Sequence, residues 1–366
     1  MRKTLFFLLL LFVAQVASAV TLYGSPENRV ILNGRLSGYS VLGNGTDHDD
    51  RSFHNAGSRI RLGWEHNLFD GWTAIAMSSW GFDPLFKDGQ DHHYRRQEYV
   101  ALTNPRYGTL TLGKQYSIFY EMAGIFTDYY WATGVAAQGS FNGTGDTSFE
   151  GMGRPSRSLS YRNRIGDWSF GLMYQTDDDV QFNEADQEPL NGAKRDSTIQ
   201  TAIQWHASDD LTFAGVYSHS DIKRSKGGSS YHNDIDAGLL GLQWSPGNWY
   251  FGATAGQYNN LVRKGEFAGY DSKGWVDEAR GYEIIAMYNI KYNEIPGDVQ
   301  VYGGLNRLED RDSEARNVDR LVGAAWLLFD HDLIFSVEQS FRGNSRNVDG
   351  ESSAHNRTYL FARYNY

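Results

Sequence analysis

The last ten residues, Arg357 to Tyr366, alternate in character and stop on an aromatic side chain. Successive side chains in an extended strand point to opposite faces, so Leu360, Ala362, Tyr364 and Tyr366 share one face. Tyr359, Phe361, Arg363 and Asn365 share the other. A soluble sheet seldom ends on a strand with rings toward one side and Arg and Asn toward the other. A barrel in an outer membrane does, because lipid lies outside it, water inside it, and the chain end at the periplasmic rim.

The start of the chain agrees. Arg2 and Lys3, the apolar run Leu5 to Val13, and Ala17-Ser18-Ala19 read as a secretory signal with its cleavage site. The alternative, an uncleaved anchor, needs a longer apolar run. The expected division is residues 1–19 as signal peptide and 20–366 as one transmembrane barrel domain. No later stretch is apolar enough to cross as a helix. The chain is hydrophilic on average, which a barrel tolerates, since only every second strand residue meets lipid. Aromatic content of 14%, with 40 Gly against 7 Pro, suits twisted strands carrying aromatic rims. The absence of cysteine excludes thiol catalysis, disulfides and cysteine metal sites. A net charge of −10, more acidic once Arg2 and Lys3 leave, argues against a nucleic-acid partner.

Alternating segments of about ten residues recur along the chain. Trp168, Phe170, Leu172 and Tyr174 face one way, as do Ile60, Leu62 and Trp64, Ile199 to Trp205, and Tyr282 to Tyr288 at every second position. Seven short turns rich in Gly, Pro, Asn or Asp separate alternate pairs: 67–71, 104–108, 163–167, 207–210, 245–247, 294–298 and 329–332. Eight longer polar segments lie between them, near 40–57, 82–94, 117–156, 176–198, 219–235, 259–279, 305–319 and 341–355. Seven turns on one side and eight loops on the other predict an all-β, sixteen-stranded antiparallel transmembrane β-barrel. Sixteen strands enclose an aqueous lumen. The terminal strand is expected to close it by pairing with the first, near Val30 to Tyr39. The third loop is the longest, and its simplest use is to fold into the lumen and narrow it; the other is an outward lid.

At this loop the sequence resembles the general trimeric porins of Gram-negative outer membranes. The residues that carry the resemblance are Gly108 to Tyr116, Thr127-Asp128, Gly153-Arg154, Tyr161-Arg162-Asn163, Asn33-Gly34-Arg35 and Arg61-Leu62-Gly63-Trp64. The resemblance implies a third loop bent inward, with its acids facing wall cations across a constriction. Matched by position, the wall cations would be Arg35, Arg61, Arg96 and Arg154, and the first loop acid Asp128. Where the family carries Pro-Glu-Phe-Gly-Gly at the loop tip, this chain has Trp131-Ala132-Thr133-Gly134, so the second acid is missing. Glu98 and Glu121 are the candidates to compensate. Parity independently sets Arg61 opposite the lipid-facing Ile60, Leu62 and Trp64.

Charged rings at a constriction select by charge and diameter. Tyr129, Tyr130 and Trp131 have two readings: stacking on sugar faces, as in the chitoporins that resemble this family, or packing the loop on the wall, the commoner use of buried rings. The small Ala74, Ala76 and Ser78 suggest a protein contact, and the resemblance implies a homotrimer. Asp47-His48-Asp49-Asp50 and Asp177-Asp178-Asp179 lack an EF-hand pattern, and His92-His93 lacks further metal ligands. The acidic runs read as exposed carboxylates that meet divalent cations and lipopolysaccharide; the expected partners are outer-membrane lipid and lipopolysaccharide, and no cofactor or specific metal site is expected. The functional expectation is passive diffusion of small hydrophilic solutes and ions, with an oligosaccharide-preferring channel or an outer-membrane barrel hydrolase as alternatives. The hydrolase would need a Ser/His pair in contact, and no nucleophile motif is present.

Overall fold

A computed structural model describes residues 19–42, 53–85, 93–131, 149–179, 194–226, 229–232, 234–267, 275–291, 296–353 and 356–366. The signal segment, the loop-tip residues Ala132 to Gly134, Asp47 to Asp50 and His92 lie outside these. Among the described residues sixteen long strands form the wall. They are β1 (Asn28–Leu42), β2 (Arg59–Asn67), β3 (Thr73–Phe82), β4 (His93–Asn104), β5 (Gly108–Lys114), β6 (Ser158–Ile165), β7 (Trp168–Gln175) and β8 (Lys194–His206). The second half is β9 (Leu211–Lys226), β10 (Ile235–Trp244), β11 (Trp249–Asn259), β12 (Glu278–Lys291), β13 (Asp298–Asp310), β14 (Arg316–Leu328), β15 (Leu333–Phe341) and β16 (Arg357–Asn365). Each pairs antiparallel with the next, and β16 returns to β1 to close the barrel.

The seam differs from the expected register. β16 pairs with Arg35 to Leu42, higher on β1 than Val30 to Tyr39. The lower part of β1 pairs instead with the N-terminal segment Val20–Gly24, from Val20 opposite Leu32 to Gly24 opposite Arg29. Tyr366 and Gly34 exchange backbone hydrogen bonds of 2.7 and 3.0 Å. The sixteenth wall position is therefore shared by the segment Val20–Gly24 and the C-terminal strand, which lie on either side of the Leu32 to Gly34 stretch of β1.

Two further departures are extensions of the ladder. Much of the expected loop 219–235 is strand, since β9 runs to Lys226, and β13 and β14 leave only residues 311–315 between them. The outward Arg307 and Glu309 on β13 form an ion pair, so alternation continues above the apolar belt with polar partners.

Outer and inner faces follow the period of two. On β7 the side chains of Trp168, Phe170, Leu172 and Tyr174 are exposed, whereas Met173 and Gln175 are buried. Outward rings cluster beside the short turns: Trp168 with Trp205, Trp205 with Phe213, Trp244 with Phe251, and Trp249 with Tyr288. This is the girdle that amphipathic rings form at one membrane interface.

Two apolar clusters lie inside the wall. The larger joins Ile118, Phe119, Met122 and Phe126 to inward residues of β7, β9 and β10, such as Met173, Val216 and Leu239. The other joins Tyr129, Tyr130 and Trp131 to Tyr250, Ile285, Tyr302 and Phe361. In both clusters the segment after β5 packs against apolar side chains of the wall.

Candidate functional site

That segment is fixed at its root. The Gln115 amide donates to Thr111 O and Ser158 Oγ, each at 3.1 Å, and its Oε1 accepts from Arg162 at 3.2 Å. Ser117 caps a five-residue helix, α1 (Ile118–Met122), by accepting from Tyr120 N at 2.9 Å. Glu121 forms an ion pair with Arg162 of β6. It serves as a root anchor and is not a free acid.

From α1 the chain crosses to strands remote in sequence. Gln204 of β8 donates to Met122 O at 2.9 Å, and Tyr250 of β11 donates to Phe126 O at 2.7 Å. Thr127 Oγ1 donates to Glu283 of β12 at 2.6 Å, and Asn306 of β13 donates to the other oxygen of that carboxylate at 2.9 Å. Glu338 of β15 accepts from Trp131 N at 2.6 Å and from the Tyr302 hydroxyl at 2.7 Å. Both carboxylates are almost fully buried. Gly252 makes room for the crossing: a Cβ built there would lie 2.0 Å from Phe126 O.

The three aromatic residues lie against wall side chains. Tyr129 meets Tyr250 at a ring separation of 4.4 Å, Tyr130 meets Tyr302 at 6.5 Å, and Trp131 meets Phe361 at 6.0 Å. The Arg363 guanidinium covers the Trp131 ring at 5.0 Å, and the indole N–H donates to Gln300 at 3.3 Å. This is wall packing, the commoner use of such rings.

Six arginines cluster around Arg59 of β2, which lies within electrostatic range of Arg35 on β1, Arg61 on β2, Arg96 on β4, Arg363 on β16, and Arg154 just before β6. The resemblance implies Arg35, Arg61, Arg96 and Arg154; the structure adds Arg59 and Arg363. Both follow from parity, Arg59 with Arg61 and Arg363 with Phe361.

Glu98 is a correction. Strict alternation gives Arg96 and Glu98 the same face. The pairing of Ser79 with Gln97 and of Trp80 with Arg95 leaves Arg96 as an extra residue, a β-bulge. The bulge turns both Arg96 and Gln97 inward, where both are buried. Glu98 then falls on the register of the exposed Val100, pointing outward and ion-paired to Arg95 at 3.0 Å.

Asp128 accepts a short hydrogen bond from the Tyr120 hydroxyl and lies within electrostatic range of Arg363. Tyr116, in the connection after β5, is enclosed by the arginines. Burial opposes its ionisation, but Arg59, Arg96, Arg154 and Arg61 outweigh burial and hold the phenol below its ordinary range. Tyr99 and Tyr120 also face it. As pH rises through the lowered value, a phenolate adds negative charge among the arginines. The reversal potential in a salt gradient should then shift in the cation direction well before the usual phenol value of about 10. Tyr116→Phe should abolish the shift.

One Ser/His contact occurs among the described residues, Ser169 Oγ with His206 Nε2 at 2.8 Å. The other ring nitrogen meets the Thr212 hydroxyl at 3.1 Å, not a carboxylate, so the base lacks the orienting charge of a triad.

A closed sixteen-stranded barrel with an apolar outer belt and a polar, charged inner face defines an outer-membrane channel protein. The chain belongs to the Gram-negative porin family, which its residues 7–319 match. It is 21% identical over 301 residues to outer membrane porin C of Enterobacter cloacae, covering 78% of this chain and 77% of that one. Outer membrane porin C of Rahnella aquatilis is 22% identical over 319 residues, covering 81% and 84%. Among solved structures, OmpF of Salmonella typhi superposes with a TM-score of 0.70 at 15% identity, over 93% of this chain and 98% of that one. The anion-selective porin of Comamonas acidovorans superposes at 0.67 and 16%, over 93% and 100%. At such identities the superpositions establish the fold. With the family, they make this chain an integral outer-membrane porin.

Proposed function

We propose that residues 115–131 and the arginine wall form the narrowest part of a water-filled channel for passive diffusion of small hydrophilic solutes and ions. The observation that carries this reading is the opposition of Asp128, on the crossing segment, to Arg363 and its neighbouring arginines. Opposed charges orient a dipolar solute, while an apolar one loses hydration without recompense. Purified protein in planar bilayers should give discrete, ohmic conductance steps. Folded barrel that inserts without conducting would sink the proposal.

The aromatic trio serves as loop anchor in this reading. Trp131→Ala should leave current blockage by neutral oligosaccharides unchanged; a sugar-preferring channel would lose that blockage.

The working form we propose is a homotrimer joined through the outer face of β2–β5. The small Ala74, Ala76 and Ser78 occupy that face. A shallow outward pocket of about 410 Å³ lies there among Leu62, Trp64, Ala76, Val100 and Leu112. Glu98 sits on its rim with Arg95 beside it and Lys114 opposite in register. Acyl chains offer a carboxylate no hydrogen bond, and a second subunit would cover it. Ala76→Trp should convert a heat-sensitive trimer band into folded monomer on semi-native gels; a persistent trimer would refute this face. At the outer ends of β8–β10, outward pairs such as Lys223 with Asp196 and His219 with Asp236 suit lipid headgroups and lipopolysaccharide.

A further inference from the structure

Resting on the channel reading above, we propose that this constriction prefers anions, because its fixed charge is dominated by six clustered arginines, opposed among the described loop residues by one carboxylate within electrostatic range of them. The cations are Arg35, Arg59, Arg61, Arg96, Arg154 and Arg363, and the loop acid within electrostatic range of Arg363 is Asp128. Four other acids among the described interior residues are engaged elsewhere. Glu121 is paired with Arg162. Glu283 and Glu338 are about 1% and 0% exposed, lie beneath the crossing segment, and accept hydrogen bonds from Thr127, Asn306, Trp131 and Tyr302. Asp319 lies 3.5 Å from Arg342.

An excess of fixed positive charge must be balanced by mobile ions, so anions accumulate where the arginines stand and potassium is repelled. Low-dielectric walls concentrate that field along the passage. The cluster also has donors to offer. Arg61 Nε and Arg363 Nε are buried and meet no acceptor among the described residues. A guanidinium presents a planar fork that fits carboxylate and phosphate better than an ammonium does. The expected cargo is therefore small anions: chloride, and solutes carrying a carboxylate or phosphate.

At Trp131 the loop meets this wall through a ring, which Arg363 covers at 5.0 Å. A ring face attracts a guanidinium without neutralising it. The ring holds the arginine in place.

The deciding experiment is the reversal potential of the full mature protein across a KCl gradient in planar bilayers. The expected result is a chloride permeability several-fold above that of potassium. Arg363→Gln and Arg61→Gln should each lower that ratio. Asp128→Asn, which retains an acceptor for the Tyr120 hydroxyl, should raise it without loss of folded barrel. A cation-preferring channel, or a ratio that none of these variants moves, overturns the proposal. Folded barrel with no conductance overturns the channel reading instead.

Discussion

Replacing Glu283 and Glu338 together with alanine should release residues 124–131 from the far wall and enlarge the channel. Each carboxylate holds one group of the crossing segment, Thr127 Oγ1 in one case and Trp131 N in the other, at 2.6 Å. A hydrogen bond to a charged group contributes about 1.5–3 kcal/mol. Losing both weakens docking by about 3–6 kcal/mol, or roughly two to four decades in the docked-to-released ratio. The contacts that remain include the aromatic pairs, Arg363 over Trp131, the Tyr250 bond to Phe126 O, and the longer bonds of Trp131 to Gln300 and of Thr127 to Thr254, each at 3.3 Å. Single-channel recordings should show higher conductance with strong open-channel noise, and larger neutral polymers should enter. Glutamine at both positions retains an acceptor and should keep the conductance steady, although it removes charge. An alanine pair with unchanged conductance and polymer exclusion would show that the segment is held by other means.

The glycine opposite Phe126 tests the same docking from the other side. Gly252→Leu places its first side-chain carbon 2.0 Å from Phe126 O, a backbone atom that cannot rotate away. It should reproduce the noisy, enlarged channel with both carboxylates intact.

Much of this architecture is legible in the sequence because a barrel strand is read with a period of two. Parity alone separates Arg61 from Leu62, and Arg363 from Tyr364. The same rule marks Glu283 between the outward Tyr282 and Ile284, and Glu338 beside the outward Val337, as acids aimed inward. What parity cannot supply is a break in itself. The extra residue at Arg96 reverses the phase within one strand, and Glu98 was misassigned for that reason. The register of β16 was misread for a different cause. The segment Val20–Gly24 takes the lower half of β1, and such pairing is set by contacts between segments far apart in sequence that local composition does not encode. Docking of the crossing segment is equally non-local, since Thr127 and Glu283 meet only once the barrel has closed.

The seam gives the second large expected effect, at Gly34. This residue lies on the outer face between Leu32 and Leu36, where Tyr366 ends the chain against it. A Cβ there would come 2.5 Å from Arg59 O and 2.7 Å from the Tyr366 ring. Gly34→Leu must therefore push β1 from β2 on one side and from the chain terminus on the other. Overpacking costs about 1–3 kcal/mol, and loss of the two backbone bonds between Gly34 and Tyr366 about 0.5–1.5 kcal/mol each. The urea midpoint of refolding, read from the heat-modifiable band on gels, should fall steeply. Gly238→Ala, where a Cβ would meet nothing within 4 Å, should leave it unmoved. Combining Gly34→Leu with Tyr366→Ala separates the two obstructions. Removing the ring relieves the terminus but leaves Arg59 O in place, so rescue should be partial. Full rescue would mean that the ring alone sets the limit, and no rescue that the β1–β2 ladder alone does.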